Sequence, residues 1–293
     1  VATHNFTICD VFAREKFAGN QLAVFADAAT MAPGLMQTLA REIHFSETTF
    51  ILADQPGPKG WPVRIFTPAR EVPFAGHPTL GTAFVIWDLF LGRKADSVTL
   101  DLAVGQVPVA VEDGGGRLVM TQVAPEFGAS FAPRDAAAVL GLDPADIDPR
   151  WECAEVSTGL WFGIIPVKTL DAMRRIRVNL AEYYRLARGL EAKAFLAFAP
   201  ETESPDCDLH VRVFCDYYDV PEDPATGSAN GCLCAWLVRN RWRGGAAVEL
   251  HTEQGLEMGR PSRLYLQGRE ADGLITVRVG GRVVVSGRGA FDA

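Results

Sequence analysis

VPFAGHPTLGTA, from Val72 to Ala83, and VPEDPATGSA, from Val220 to Ala229, are two copies of one pattern. Laid over each other with Asp223 against His77, they also match Pro78 with Pro224, Gly81 with Gly227, Thr82 with Ser228 and Ala83 with Ala229. Upstream the echo continues, Arg64-Ile65-Phe66 against Arg212-Val213-Phe214. A strand, a turn and a helix start that recur together imply a duplicated unit. Two copies make two related halves, not a solenoid.

At 293 residues the chain is long enough for two domains, each with its own core. A net charge of −8 argues against nucleic acid as a partner, since phosphate binding needs a basic surface. It leaves room for a small anion held by local groups. No apolar run reaches membrane-spanning length, and VATHNFTICDVF shows no charged segment leading into an apolar one, so neither a span nor a signal peptide is expected. The six cysteines form no CxxC pair and no zinc-type spacing. Reduced, mostly buried thiols in a cytoplasmic protein are the expectation.

Along the chain, NFTICDVFA alternates like a strand and FAGNQLAVF follows across a turn at Gly19-Asn20. Helical spacing covers Gly34 to Arg41, and Thr49 to Leu52 is the next strand. GTAFVIWDLFLG and GSANGCLCAWLVRN are matching helices, the first ending near Gly92. VTLDLAV, VPVAVE and RLVMTQ are strands, and VAPEFGASFAPRD has the composition of an exposed linker. RDAAAVLGL and VNLAEYYRLARG read as helices, FGIIPV and AFLAFA as strands. Four strands close the chain, the last two joined at Gly280-Gly281 as a two-residue hairpin. Each half is mostly strand with one or two helices, an α+β pattern of a curled sheet on a central helix. Neither a GxGxxG after a strand nor a Walker loop is present, so a nucleotide cofactor is not expected.

Both copies place Gly-small-Ala where a helix is expected to begin. The first N–H groups of a helix lack internal partners, and glycine lets a carboxylate come close to them. Gly227-Ser228 and Gly81-Thr82 are therefore candidate anion cradles, or else Ser228 and Thr82 are ordinary N-caps. His77 and Asp223, equivalent in the alignment, are candidates to orient a substrate or share its protons, or to cap local turns. Glu47 sits in FSETTF among Phe45, Phe50 and Ile51. Apolar surroundings raise a carboxyl group's pKa toward the range useful for acid–base work, whereas a solvated or capping glutamate needs no such role. His44, His210 and His251 match no metal motif, and no Gly-x-Ser-x-Gly elbow appears.

Taken together, SETTF, RIFTP with FAGHPTLGTA, VPEDPATGSA and the tail Gln254-Gly255…Gly259–Ser262 resemble the PhzF-like (phenazine biosynthesis) family of the diaminopimelate-epimerase and proline-racemase superfamily. The resemblance runs from about Asp10 to Gly289. It implies two pseudo-symmetric α+β domains, each a mainly antiparallel sheet curled around a central helix, with the active site in the cleft between them. The first would span 1–122 plus about 283–293 and the second 128–282. It further implies a homodimer, no metal, no cofactor, and isomerisation of a small carboxylate such as trans-2,3-dihydro-3-hydroxyanthranilate. Glu47 would shuttle the proton, His77 and Asp223 would orient and polarise the substrate, and Gly227 with Ser228 would bind its carboxylate, with backbone contacts from Gly76. Epimerisation of an amino-acid-like substrate, or ligand binding without catalysis, are the alternatives on the same fold.

Three departures stand out. Related epimerases and racemases use two opposed cysteines, and none of the six cysteines here lies in the repeat motifs. The family's GNPLAV reads GNQLAV, with Gln21 for proline, and Asn230 follows TGSA.

Overall fold

The computed structural model describes residues 2–293. The chain divides into two compact units, one running to Met120 and joined by Gly280–Ala293, the other Thr121–Val279.

The first unit is built on strands β1 (Thr3–Val11), β2 (Asn20–Phe25), β3 (Thr48–Ile51), β4 (Trp61–Phe66), β5 (Glu71–Val72), β6 (Ser97–Leu102), β7 (Gly105–Glu112) and β8 (Arg117–Thr121). β1 pairs antiparallel with β2, β2 parallel with β3, and β3 antiparallel with β4. β4 takes β5 antiparallel at one end and β6 parallel at the other, and β6, β7 and β8 continue antiparallel. In the second unit the strands are β9 (Glu126–Phe131), β10 (Cys153–Ser157), β11 (Trp161–Pro166), β12 (Ala194–Ala199), β13 (Leu209–Cys215), β14 (Val220–Asp223), β15 (Ala247–Gln254), β16 (Ser262–Ala271) and β17 (Leu274–Gly281). From β10 to β16 the same succession returns. β10 with β11 is antiparallel, β11 with β12 parallel, and β12 with β13 antiparallel. β13 then takes β14 antiparallel and β15 parallel, and β15 pairs antiparallel with β16. The duplication written in the motifs is thus a duplication of topology.

Each unit has one helix buried on all sides. α1 (Pro33–Ile43) covers the first sheet's outer face, while α2 (Gly76–Leu89) buries every residue from His77 to Trp87. α2 packs on β1, β2, β3, β6 and β7. The second unit has α3 (Pro133–Leu140), α4 (Leu170–Arg175), α5 (Leu180–Arg188) and the central α6 (Gly227–Arg239), buried from Ala229 to Val238. A helix apolar all round has no solvent face, so the strands curl around it. Outside these helices lie two further cores, Phe25, Met36, Leu39, Phe50 and Phe66 under α1, and Tyr183, Phe195 and Phe214 under α3 and α5. No helix among the described residues is long and apolar enough to cross a membrane.

Several expectations need correction. α2 begins at Gly76, not at Gly81, because a proline at Pro78 is tolerated in a first helical turn. Gly81-Thr82 is therefore no anion cradle. A Cβ on Gly81 would lie 2.5 Å from Leu22 Cδ2 and 2.9 Å from Val11 Cγ2, so the glycine lets α2 seat on β1 and β2. Thr82 caps nothing and shares a 2.7 Å hydrogen bond with Thr49 instead. Gly280-Gly281 is no hairpin turn: both glycines end β17, and the last strand, β18 (Val283–Asp292), pairs along β1. A side chain on Gly280 would collide with the Leu118 carbonyl, 2.5 Å away. The expected linker VAPEFGASFAPRD contains β9, antiparallel to β10. α4 is too short to show a helical period and is started by the Thr169 hydroxyl, which accepts the Ala172 N–H.

Candidate active site

Glu47 lies in the bend between α1 and β3, one residue before the strand begins. Its side chain is 19% exposed, and Oε2 stands 3.6 Å from Nε2 of His77, which is 7% exposed. His77 is the second residue of α2, so the helix fixes it against β2. Burial pushes its imidazole down to about 3, against an opposing hydrogen bond with the Gln21 backbone. The ring is neutral, and its approach to Glu47 is a contact of a carboxyl group with an uncharged imidazole, not an ion pair. Nε2 makes no hydrogen bond. The Gln21 interaction favours protonated imidazole, as a carbonyl acceptor does, which puts the proton on Nδ1 and leaves Nε2 an acceptor facing Glu47.

Gln21 thus serves through its backbone. Proline has the same carbonyl, so replacing proline by Gln21 keeps this contact. Thr48, next to Glu47, is fully buried and its hydroxyl has no hydrogen-bond partner. Gly76 opens α2, with Ala75 as an N-cap that makes no side-chain bond.

In the second unit Asp223 ends β14 and is 9% exposed. Locally it is not the equivalent of His77, since it lies before the helix and not within it. The aligned positions fall in different local structure because β14 runs to Asp223 and α6 starts only at Gly227, whereas α2 already starts at Gly76, one residue before His77. Gly227 and Ser228 are the first two residues of α6, where backbone N–H groups and the positive end of the helix dipole face outward. Ser228 is not the N-cap. Thr226 is, yet its side chain makes no capping bond. Its hydroxyl is hydrogen-bonded to Asp223 Oδ2, and Gln254 Nε2 donates to Thr226 Oγ1 at 3.0 Å and to the Asp223 carbonyl at 2.7 Å. Thr226 and Gln254 were missed as functional candidates. The signal available was a polar run, Thr252-Glu253-Gln254, at the end of a strand with an otherwise apolar inner face.

The cysteines stand apart from this chemistry. Cys232 and Cys234 are on α6 and Cys215 ends β13, all three buried. Burial pushes Cys232 up to about 12, with the Thr158 hydroxyl only partly opposing it. A thiol held protonated is a poor base.

The model of the phenazine biosynthesis-like proteins matches residues 9–289. The chain belongs to the PhzF-like family. Among its relatives is the trans-2,3-dihydro-3-hydroxyanthranilate isomerase of Pseudomonas aeruginosa, 34% identical over 98% of this chain and 96% of that protein. An uncharacterized isomerase of Mesorhizobium japonicum is 35% identical over 96% of both chains. The solved PhzF-family protein of Bacillus anthracis superposes over the whole of both chains with a TM-score of 0.92 at 26% identity. A hydroxyproline epimerase from Agrobacterium vitis, 11% identical, shares the fold with a TM-score of 0.63 over 98% of this chain and 92% of its own. This PhzF-like protein is an isomerase on the epimerase–racemase fold.

Proposed function

We propose that this PhzF-like isomerase relocates a proton on a small cyclic carboxylate, with Glu47 as the group that removes it from one carbon and returns it to another. The observation that carries the reading is the approach of a largely buried Glu47 to Nε2 of the neutral His77 at 3.6 Å. When Glu47 abstracts a proton, one C–H bond breaks and its electrons shift a double bond along the ring. The proton goes back at the far end of the shifted system, so substrate and product differ only in where one hydrogen sits. No electron leaves the substrate, and the electron balance calls for no redox cofactor. His77 Nε2 is placed to accept a hydrogen bond from Glu47 in its protonated state, stabilising the intermediate stage.

Gly227 and Ser228 take the substrate carboxylate on the first-turn N–H groups of α6, in the manner of helix N-termini generally. Asp223 accepts a hydrogen bond from an amine or hydroxyl of the substrate, and Gly76 adds a backbone contact. Trans-2,3-dihydro-3-hydroxyanthranilate carries a carboxylate, an amine and a hydroxyl on a ring, and relatives one-third identical are named for its isomerisation. It is the substrate of first choice.

Proton NMR in heavy water tests the reading, with the native protein and the Glu47→Gln variant incubated with this compound. Deuterium appearing in an isomerised product with the native protein alone is the expected result. Equal turnover by the variant would overturn the role of Glu47, and recovery of the compound unchanged from the native protein would overturn the substrate.

A further inference from the structure

We propose that Thr226 and Gln254 are positioning residues that hold Asp223 as a hydrogen-bond acceptor, through a one-way chain from Gln254 Nε2–H to Thr226 Oγ1 and from Thr226 Oγ1–H to Asp223 Oδ2. The inference rests on the reading of Asp223 as a substrate-contacting group.

The direction of the chain follows from its neighbours. Gln254 Nε2 lies 2.7 Å from the Asp223 carbonyl, which can only accept, so that atom is the amide nitrogen. Gln254 Oε1 in turn accepts the Thr226 N–H at 3.2 Å and Asn230 Nδ2 at 2.9 Å. Asn230 is fixed likewise: Nδ2 donates to the Thr226 carbonyl at 3.0 Å, and Oδ1 accepts the Thr252 hydroxyl at 2.8 Å. Flipping either amide would set oxygen against oxygen and nitrogen against a donor. Because Thr226 Oγ1 accepts a hydrogen bond from Gln254 Nε2–H, its own O–H is left to donate to Asp223 Oδ2.

Two features argue that this chain is more than a brace. An N-cap threonine ordinarily turns its hydroxyl to the N–H groups of the first turn, a bond whose loss costs about 1 kcal/mol. Thr226 forgoes that bond and points at Asp223. The same choice leaves the first-turn N–H groups at Gly227 and Ser228 without a side-chain competitor for an incoming carboxylate. Second, the turn after Gln254 is made by Gly255 at φ +77, where a Cβ would meet the Pro224 carbonyl at 2.6 Å. Only glycine lets the end of β15 come close enough for Gln254 to reach the Asp223–Thr226 loop. A hydrogen bond donated to a carboxylate favours its ionised form and fixes its plane. Asp223 is thereby offered as an acceptor for a proton-bearing substrate group.

Carbon-13 NMR of protein labelled at the aspartate carboxyls tests this without reference to turnover, the Asp223 signal being assigned with Asp223→Asn. In Thr226→Val the midpoint of the Asp223 signal is expected about one pH unit above native, from loss of one donated bond to the carboxylate. Thr226→Ser keeps the hydroxyl and the native midpoint. Adding Gln254→Met to Thr226→Val moves the midpoint no further, since the glutamine acts through the threonine. An unchanged midpoint in Thr226→Val, or in Thr226→Ala should the valine variant not fold, overturns the chain, and a further shift in the double variant overturns its order. The acid limb of kcat/KM on trans-2,3-dihydro-3-hydroxyanthranilate should move with the midpoint, and a midpoint that shifts without it overturns the catalytic bearing of the chain. Failure of the native protein to turn this compound over would fall on the substrate alone, because the titration stands independently.

Discussion

Arg212 grips Glu222 through two parallel hydrogen bonds of 2.8 Å, from Nε to Oε1 and from a terminal nitrogen to Oε2. The first unit repeats the clamp as Arg64 on Glu71, with both bonds at 2.7 Å. Each guanidinium also stands over the next inward phenylalanine, Phe214 at 5.2 Å and Phe66 at 5.1 Å. The two clamps differ in burial. Side-chain exposure is 7% and 18% for Arg212 and Glu222, but 27% and 42% for Arg64 and Glu71. Breaking a buried pair strands a charge, at about 3 kcal/mol or more, while exposed pairs contribute about 0–1 kcal/mol. With Arg212 keeping Glu257 at 3.9 Å, Glu222→Gln is therefore expected to lower stability by up to about 3 kcal/mol and Glu71→Gln by under about 1, read as urea-unfolding midpoints. Equal losses would show that the second clamp is as well solvated as the first.

Gly81→Ala tests how tightly α2 sits on its sheet. The new methyl would lie 2.5 Å from Leu22 Cδ2, inside any allowed contact, but that atom ends a flexible side chain. The expected cost is that of an overpacked core, about 1–3 kcal/mol. For a helix interior, glycine to alanine would otherwise stabilise by up to about 1 kcal/mol, so the sign of the change in Tm decides the point.

The sequence displayed the repeat because the duplicated segments still carry the same turn chemistry, and the pairing of β10 to β16 follows that of β1 to β7 accordingly. It misplaced the start of α2 because the alignment of Gly81 with Gly227 suggested a shared helix start. Pro78 is compatible with a first turn as well as with a loop, and local pattern does not choose between them. Glu47, His77 and Asp223 were visible as residues in motifs. Their partners were not. Gln21 acts through a backbone carbonyl, which no side-chain pattern encodes, and Gln254 reaches Asp223 only because β15 lies parallel to β13, a pairing set by tertiary structure.

Stability should depend on pH through His210, fully buried on β13 between two glutamates. Nδ1 lies 2.8 Å from Glu253 Oε1 and Nε2 3.0 Å from Glu257 Oε1, with Arg212 3.9 Å from Glu257. Burial alone would lower the imidazole, but the hydrogen bonds its ring N–H groups donate to Glu253 and Glu257 outweigh it and raise it to about 9. Both carboxyls, which burial alone would raise, are held below their usual range by His210. The raised histidine stabilises the fold fully below its ordinary value near 6.5, and that contribution is lost as pH climbs through 9. The lowered glutamates contribute above their ordinary 4.5 and lose that contribution as pH falls below it. This cluster thus favours the folded state most between these limits. His210→Gln should flatten the decline in Tm between pH 7 and 9, and an unaltered decline would place its origin in other groups.

His77→Asn separates the two nitrogens of the imidazole. The asparagine amide keeps a donor for the Gln21 backbone, near the position of Nδ1–H, but offers no acceptor where Nε2 faces Glu47 at 3.6 Å. If Nε2 matters by receiving a hydrogen bond from protonated Glu47, its loss falls on the step in which Glu47 holds the proton. The expected result is a fall in kcat of about 10²–10³, within the range of one positioned acid–base interaction, with KM changed little. A neutral histidine pushed down to about 3 also adds no limb of its own between pH 5 and 9, so native protein and variant should share one profile shape there. A rise in KM at constant kcat would instead assign His77 to ground-state binding. A limb near pH 6.5 present in the native protein and absent from His77→Asn would mean that the imidazole titrates, and the acceptor role would fall with its neutrality.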